Sequence, residues 1–314
     1  MSGVEIVSQF LKDLIAFSTL IGLATLGELL NEKVGVLNLS IDGALWIGAL
    51  MTFITAYFTG SITIAILVAI GSSLSIYLLF GYMTLVKNVD QVYTGVAINL
   101  ICYGVCFYIY RSIFEWGIRD ASPHINVSLS DIEIPYLSQI PIIGYMLFRQ
   151  TILTYLFLFL IIPLIYFIIK KTIIGIIIKA IGEDPEKAET LGINVNRYRF
   201  IILMNAGILT GISSTMFVLY FSNVYLTEMV AGRGFIAIAL IILGKWELIP
   251  TILACLFYSS LEALQYRVIT LISGLFPYQF ILMLPYLATI IALGAVGRKV
   301  KPPASLGKTR TRTK

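Results

Sequence analysis

Histidine, cysteine and charged residues are all scarce in this sequence, and each shortage excludes a class of function. The chain has one histidine, His124, and three cysteines, Cys102, Cys106 and Cys255, which all lie within apolar runs. The Cys102/Cys106 pair lacks the further Cys or His ligands that a zinc site needs. Catalysis by a Ser-His or Cys-His pair has almost no residues to use. We therefore predict packing roles for the cysteines, no metal site and no catalytic residues.

The shortage of charge excludes an ordinary soluble domain. Only 12% of the 314 residues are charged, 58% are hydrophobic, and the mean hydropathy is +0.92. Soluble domains carry about 25% charged residues. A helix of about 20 apolar residues crosses a hydrocarbon layer of roughly 30 Å, and several such stretches follow one another here. The sequence predicts an all-α, polytopic transmembrane helical bundle.

Runs without a charged residue predict about nine spans. The uncharged run 43–86 is too long for one helix, and the turn Phe58-Thr59-Gly60-Ser61 divides it. The run 268–297 is divided in the same way at Ser273-Gly274-Leu275-Phe276-Pro277. The remaining predicted spans are 14–30, 91–110, 151–169, 200–227, 234–243 and 248–272, and the first and last of these contain charged residues.

Lysine and arginine predict the orientation, because positive residues are retained on the cytoplasmic side of a membrane. Segment 170–199 carries six of them and the tail from Arg298 carries seven, so both are predicted to be cytoplasmic. Four predicted spans separate the two segments, and this even number agrees with a single side for both. Counting backwards places residues 112–150 in an external loop and the N-terminus outside. We expect a multi-pass protein of the plasma membrane.

The basic C-terminal tail is predicted to be a separate, disordered region. We divide the chain into a transmembrane domain, 1–297, and a cytoplasmic tail, 298–314, which is attracted to anionic lipid. Within the tail, Gly307-Lys308-Thr309 imitates the end of a phosphate-binding loop. That loop needs a glycine at the position that holds Pro302. The sequence thus predicts no nucleotide site in this chain and no nucleic acid partner.

One charged stretch, GEDPEKAETLGI at 182–193, lies between two strongly apolar segments. Asp184 suits the N-cap of a helix, Pro185 its first position, and Gly192 its end. The predicted helix has about two turns, which is marginal in water because nucleation costs more than a few hydrogen bonds return. It needs a surface to rest on. Either it folds against its own protein as a connector, or Ala188 and Leu191, on one face, enter the groove of a partner.

Four sequence blocks resemble one transporter family. Residues 179–193, KAIGEDPEKAETLGI, resemble the cytoplasmic coupling segment of permease subunits from ATP-binding-cassette (ABC) importers, in the branched-chain amino acid, simple sugar and nucleoside permease family. Residues 27–43, GELLNEKVGVLNLSIDG, resemble the N-terminal signature of the nucleoside and simple-sugar branch. Residues 88–100, NVDQVYTGVAINL, and 231–239, AGRGFIAIA, are similar to two further blocks. Together the blocks cover almost the whole chain.

The resemblance implies an import machine in which this chain is the permease and has no chemistry of its own. It implies a separate ATPase subunit that binds ATP and Mg, a second permease subunit, homologous or identical, and an external solute-binding protein that delivers a nucleoside or a pentose-like sugar. No cofactor is expected in this chain. The residues expected to couple to the ATPase are Gly182, Glu183, Asp184, Pro185, Glu186, Ala188, Glu189, Leu191 and Gly192.

Polar residues inside predicted spans are candidates for the translocation pathway, since an acidic group at the bilayer centre costs about 2.5 to 3.5 kcal/mol. Glycines around 35–43 and 231–235 permit unwound helices, which are tolerated where they line water or protein. We predict that both segments reach the pathway, that Asn99 faces them, and that Phe235 or Trp46 offers an aromatic face to a base. The candidates are Asn38, Ser40, Asp42, Trp46, Asn99, Arg233, Phe235 and Glu262.

Three alternatives remain open from the residues. Polar side chains in spans also serve as interhelical contacts worth about 0.6 kcal/mol each. Glu28 and Glu32 are expected near the cytoplasmic interface, where water would solvate them and remove them from the pathway. Broken helices and buried acids also occur in ion-coupled secondary transporters that need no ATPase.

Overall fold

A computed structural model describes residues 3–118, 123–139, 143–271, 278–296 and 301–308 of the chain. These residues form a helical bundle with one small two-stranded sheet. The helices are α1 (Gly3–Lys33), α2 (Ile41–Thr59), α3 (Ile62–Gly81), α4 (Gln91–Tyr110), α5 (Ile143–Phe148), α6 (Ile152–Leu156), α7 (Ile162–Lys171), α8 (Ile173–Glu183), α9 (Pro185–Thr190), α10 (Val195–Met216), α11 (Arg233–Leu243), α12 (Leu248–Leu271) and α13 (Tyr278–Val296).

Short π-helical and 3₁₀ pieces and two strands complete the described chain. The π-helical segments Tyr82–Val86, Arg111–Ile118 and Phe217–Ser222 extend α3, α4 and α10, while Phe157–Ile161 joins α6 to α7. A 3₁₀ turn spans Leu137–Gln139. The antiparallel strands β1 (Asp131–Glu133) and β2 (Arg149–Thr151) pair Asp131 with Thr151.

The number of long helices agrees with a bundle of about nine spans. Seven described helical spans are long and apolar enough to cross a membrane, and one of them is the continuous run Ile152–Lys171, which contains α6 and α7. Two shorter apolar helices lie at Arg233–Leu243 and Gln279–Ala295. The predicted break after α2 is confirmed, since α2 ends at Thr59, Gly60 has φ +62° and the Ser61 side chain caps α3 at Ile64 N. The predicted break at 273–277 lies outside the described residues.

Helix α1 lies at the centre of the bundle. It packs against α8, α10, α11 and α12, and its side chains are almost all buried from Ile15 onwards. Small residues let the helices approach closely, as is usual for helices in lipid. A Cβ on Gly27 would lie 3.0 Å from the Ala206 backbone, and one on Gly207 would lie 3.1 Å from the Tyr77 ring.

Lysine-rich segments meet at one end of the bundle, which we call the basic end. Here Lys33 and Lys170 both pair with Glu247, at 3.9 and 3.4 Å. At the opposite end Arg267 pairs with Asp13 at 2.6 Å, and Lys12 pairs with Asp131. The structure thus brings 170–199 and the described part of the tail to one end, as the count of spans requires. Which side of the membrane this end faces remains a prediction.

The sequence predicts a disordered tail, whereas residues 301–308, the part of it that the structure describes, pack against the bundle. Ser305 is 4% exposed, its amide donates to Gly182 O at 2.9 Å, and its hydroxyl donates to Ile181 O at 3.1 Å. Leu306 packs against the apolar core at the same end. Residues 301–308 therefore form an ordered strap across the basic end, where they supply hydrogen-bond donors to buried backbone carbonyls.

Candidate functional site

The chain breaks its helix between α1 and α2, at residues 34–40, which we call the first break. Gly35 adopts φ +84°, a left-handed conformation that favours glycine. The turn is closed by hydrogen bonds from Gly35 N to Glu32 O, 3.0 Å, and from Val36 N to Asn31 O, 2.9 Å. The freed backbone groups that follow must find partners elsewhere in the bundle.

Asn38 supplies several of those partners. Its Oδ1 accepts from the amide and the hydroxyl of Ser40, at 3.0 and 2.5 Å, which forms a tight turn before α2. Its Nδ2 donates to Glu28 Oε1 at 3.1 Å. Both residues are fully buried. The polar atoms of Asn38 are therefore directed at the protein itself.

Helix α4 clamps the first break from the other side. Asn99 donates to Leu39 O at 2.6 Å and accepts from Gly43 N at 2.7 Å. Gln91, at the start of the same helix, accepts from Leu37 N at 2.7 Å. The structure places Asn99 against the first break, where its amide satisfies two backbone groups at once.

The start of α2, directly after the first break, meets the segment that begins α11. Asp42 Oδ1 accepts from Gly234 N at 2.9 Å, so a carboxylate on α2 caps the first turn of α11. Gly232 precedes this turn with φ +75°. A Cβ on Gly234 would lie 2.5 Å from the Asp42 backbone, so only glycine permits this approach. The two glycine-containing segments that the sequence singled out are therefore in direct contact.

Glu28 anchors a buried polar network, and the expectation that water solvates it is wrong. It is 0% exposed and accepts from Tyr77, Asn31 and Asn38, at 2.5, 3.2 and 3.1 Å. The Tyr77 hydroxyl also lies 2.8 Å from that of Thr210. No described lysine or arginine forms an ion pair with Glu28. The network ties α1, α3 and α10 to the first break.

Glu32 is buried as well, at 1% exposed. Its Oε2 accepts from the indole nitrogen of Trp246 at 2.5 Å, while Oε1 has no hydrogen-bond partner in the described part of the chain. Trp246 follows α11 and adopts φ +56°, which is rare for a residue other than glycine. This strained turn brings the indole onto the carboxylate.

Arg233 and Glu262 form a charge pair between α11 and α12. Arg233 Nη2 lies 2.8 Å from Glu262 Oε1, which also accepts from the Tyr258 hydroxyl at 3.1 Å. Glu262 is 4% exposed, and no described donor reaches its Oε2. The pair lines a cavity of about 170 Å³ together with aromatic residues that include Phe221 and Tyr266. This cavity combines aromatic faces with a carboxylate whose second oxygen is buried and has no described donor.

The two predicted aromatic side chains differ in their exposure to solvent. Trp46 is 8% exposed and packs edge-on against Tyr103, with ring centroids 4.9 Å apart. Phe235 is 45% exposed on α11. Neither residue lines the cavity beside Arg233. Among the described residues, no group of three or more His, Cys, Asp or Glu side chains is arranged to hold a metal ion.

The charged stretch 182–193 contains the short helix that the sequence predicts. Asp184 caps α9 by accepting from Lys187 N at 3.0 Å, Pro185 occupies its first turn, and Gly192 follows with φ +82°. The Lys187 amide and then its ammonium group, 2.9 Å away, hold the pKa of the Asp184 carboxyl below its usual value. The cap is therefore charged at neutral pH.

Helix α9 buries one residue, Ala188, against its own protein. Ala188 is 2% exposed and belongs to the apolar core of the basic end, so it is unavailable to a partner's groove. Leu191 is 78% exposed. Glu186 is exposed and Glu189 is half-buried. The outer face of α9 thus offers Leu191 and acidic side chains to solvent.

Three contacts hold the chain around α9 against the end of α1, the first break and the tail. Gly182 packs so closely on Lys33 O that a Cβ would collide with it. Arg199, 4% exposed, donates from Nε to Val34 O at 3.1 Å. Ser305 holds Ile181 and Gly182 from the tail side. A displacement of α8 and α9 would therefore act directly on the end of α1.

Sequence reasoning missed Tyr77, Thr210, Arg199, Trp246 and Ser305. Arg199 stood at the edge of a predicted span, and a charge at that place was a usable signal. Tyr77 and Thr210 gave none, since hydroxyl residues are common in spans. Their partners lie 49 and 133 residues away in sequence.

Comparison with known proteins assigns the chain to a family. Residues 10–293 match the family described as branched-chain amino acid transport system, permease component. The guanosine ABC transporter permease protein NupQ of Bacillus subtilis is 29% identical over 97% of both chains. The nucleoside ABC transporter permease protein NupC of Lactococcus lactis is 28% identical, again over 97% of both. The putative glucose ABC transporter permease protein TsgC13 of Haloferax volcanii is 30% identical over 80% of this chain and 74% of its own.

No solved structure matches the chain. The family match spans nearly all of the described helices, including the first break, the Arg233–Glu262 pair and α9. This chain belongs to the family of permease components of branched-chain amino acid-type transport systems.

Proposed function

We propose that this protein is a membrane permease subunit of an ABC importer that carries nucleosides or pentose-like sugars into the cell. The relatives named above, which are permeases for guanosine and nucleosides and a putative permease for glucose, support this class of cargo. The observation that carries the proposal is the full-length match to such permeases over 97% of the chain. Family membership does not favour the alternative of an ion-coupled secondary transporter.

In this proposal the basic end is cytoplasmic and α9 is the lever that a separate ATPase moves. Leu191, Glu186 and Glu189 form its contact surface, while Ala188 holds it to the bundle. ATP-driven closure of the ATPase pushes α9, and the contacts at Gly182 and Arg199 pass the displacement to Val34 and the first break. Alternating access follows from two arrangements of the bundle, each favoured in one state of the motor.

The route continues through the contact between Asp42 and Gly234. A shift of the first break acts on the start of α11, and so on Arg233 in the cavity beside Glu262. At about 170 Å³ this cavity is smaller than the 300–1,000 Å³ of typical ligand sites, so this conformation accommodates only part of a nucleoside. Glu262 Oε2 would accept a hydroxyl, and Phe221 or Tyr266 would face a base.

The test is uptake by liposomes that contain the permease, its ATPase and its second permease, fed by the external binding protein. Glu186→Lys/Glu189→Lys should abolish uptake of guanosine and weaken ATPase binding. Gly182→Ala should leave ATPase binding intact and raise the ATP hydrolysed per solute imported. Lys87→Gln, on another loop of the basic end, is the control. Uptake along an ion gradient without the ATPase would overturn the proposal.

A cargo test is separate from the coupling test. The external binding protein that docks on this complex should bind guanosine or ribose in calorimetry, and the same solute should be imported. Glu262→Gln should change the apparent affinity for uptake without changing ATPase binding. If the binding protein takes only branched-chain amino acids, the cargo assignment is wrong while the lever assignment stands.

A further inference from the structure

The basic end contains a second cavity, which is lined by lysines and which the transport cycle described above does not use. It encloses about 380 Å³ between the ends of α1, α7 and α11, the start of α12, helix α8 and the tail. Its charged residues are Lys33, Lys170, Lys179, Lys245 and Lys301 against Glu183 and Glu247. Five lysines against two glutamates leave a formal charge of +3. We propose that this cavity binds the phosphate headgroup of an anionic phospholipid.

The lysines of the cavity are only partly neutralised by the protein. Glu247 pairs with Lys33 and Lys170. In the described part of the chain, Lys179, Lys245 and Lys301 form no ion pair, and all three are exposed. Ammonium groups gathered from separate elements repel one another unless an anion lies between them. Their arrangement around one cavity therefore fits a ligand with negative charge.

The backbone beside the cavity is strained in a way that places a lysine there. Lys245 adopts φ +55° and the next residue, Trp246, adopts φ +56°. Glycine would occupy both positions at lower cost. Trp246 uses its position to bond Glu32, and Lys245 lines the cavity. The turn after α11 thus places the buried Trp246 indole on Glu32 and the exposed Lys245 ammonium group beside the cavity.

Helix α8 indicates a lipid as the source of the phosphate. Its inner face is formed by Gly175, Ile178 and Ile181, which are buried. Its outer face exposes Ile173 by 75% and Ile176 by 69%. Isoleucines this exposed are stable against acyl chains, and α8 directly follows the transmembrane segment that ends at Lys171.

The outer face of α8 changes from apolar to positive along its length. Ile176 and Lys179 are three residues apart, so they lie on one side of the helix, and both line the cavity. This order matches a phospholipid, in which the acyl chains lead into the headgroup. A soluble phosphate has no apolar part that would contact the isoleucines. An acidic protein partner would have to cover side chains that lie beside the membrane.

The site is distinct from the surface assigned to the ATPase. The outer face of α9 carries Glu186 and Leu191, whereas the lysine cavity opens beside α7 and α8. Glu183 borders both regions. The lipid would fill the space between the end of α1 and α8, which steadies the base of α9. This inference depends on the membrane location of the chain and not on its cargo.

Native mass spectrometry of the purified permease complex in phosphatidylglycerol tests the site. Lys179→Gln/Lys245→Gln should lose one retained lipid per chain and bind phosphatidylglycerol about 30-fold more weakly, since each lysine beside an anionic lipid contributes about fivefold. The control Lys87→Gln/Lys171→Gln removes the same charge from residues outside the cavity and should retain the lipid. Lys179→Arg should also retain it.

Three results would overturn the proposal. Equal lipid loss in the two double variants would mean unspecific attraction to the basic end. Displacement of the retained lipid by inorganic phosphate would assign the cavity to a soluble anion. Unchanged lipid retention with loss of the ATPase subunit would make the cavity a protein interface. If the double variant expresses poorly, Ile176→Asn keeps the charge, and the proposal requires that it too lose the lipid.

Discussion

Two short segments of this protein interrupt its helices with glycine and polar residues, and they use those residues in opposite ways. The first break, 34–40, directs its side chains inward, and Asn38 and Ser40 are 0% exposed. The stretch 182–193 buries Ala188 but leaves Leu191 78% exposed. The polar side chains of the first break find their hydrogen-bond partners within this chain. The stretch 182–193 packs its inner face on the bundle and leaves its outer face exposed.

The difference separates residues that hold the fold from residues that the fold leaves exposed and that we propose to face the ATPase. Inside a membrane, a backbone group without a partner costs several kcal/mol, so the polar atoms of the first break are used to satisfy it. Asn99 and Asp42, which the sequence suggested for the cargo, bond backbone amides of their own chain. Their substitution should therefore affect stability before it affects specificity.

The largest effect is expected from Glu28→Ala, because three donors would lose their acceptor inside the bundle. Each buried, unsatisfied group costs about 1 to 3 kcal/mol, so the variant should lose about 3 kcal/mol or more of its free energy of unfolding. Thermal unfolding in detergent measures the loss. Glu28→Gln keeps the side-chain shape and should lose less. Equal stability of Glu28→Ala and the natural protein would contradict the network.

The next largest loss of stability is expected from Gly95→Ala in α4, and Gly104→Ala in the same helix is its matched control. A Cβ on Gly95 would lie 2.7 Å from Leu39 Cβ and 3.0 Å from its backbone, so Gly95→Ala should cost about 1 to 3 kcal/mol. Gly104 has no atom within 4 Å of such a Cβ, and Gly104→Ala should stabilise the helix by up to about 1 kcal/mol. The opposite order of melting temperatures would refute the tight contact with the first break.

Substitution of an exposed residue in the stretch 182–193 should change binding of the ATPase subunit and not the stability of the fold. Leu191→Ser should change the free energy of unfolding by less than about 0.5 kcal/mol, as is usual for exposed positions. Binding of the ATPase subunit to detergent-solubilised permease should nevertheless weaken. Ala188→Ser, one turn earlier and buried, should lower the free energy of unfolding and leave binding of the ATPase subunit unchanged. A stability loss for Leu191→Ser comparable to that of Gly95→Ala would remove the contrast between the two segments.

The smallest effect concerns the cap of α9 and its pH dependence. The folded-state pKa of Asp184 is depressed, first by its bond from the Lys187 amide. The stabilisation is therefore present above the ordinary pKa, 3.8, and is lost as pH falls through the lower folded value. The protection factor of the Lys187 amide against hydrogen exchange should fall over that range. Asp184→Asn keeps an acceptor oxygen, so its exchange should lack this acid-dependent step.

Patterns of charge and turn residues predicted the local features of the fold. The turn at Gly60, the start of α4 at Gln91 and the Asp184 cap follow from neighbours in sequence, and the structure has all three. The contacts that decide burial are distant. Asp42 meets Gly234 across 192 residues, and Trp246 meets Glu32 across 214. No local periodicity encodes such pairs.

The contacts of residues 301–308 could not be predicted from the sequence for the same reason. Its composition, basic with two prolines, is typical of a free segment. Ser305 nevertheless fits between Gly35 and Ile181, and only the assembled bundle offers that position. Glu28 was misjudged because its distance along α1 suggested the interface, whereas the neighbouring helices cover it completely.

The strap at Ser305 has a consequence for biosynthesis. Its partner Ile181 is synthesised 124 residues earlier, so this contact forms only after every helix that the structure describes has been made. The platform beneath α9 is thus completed last, after every helix that precedes it.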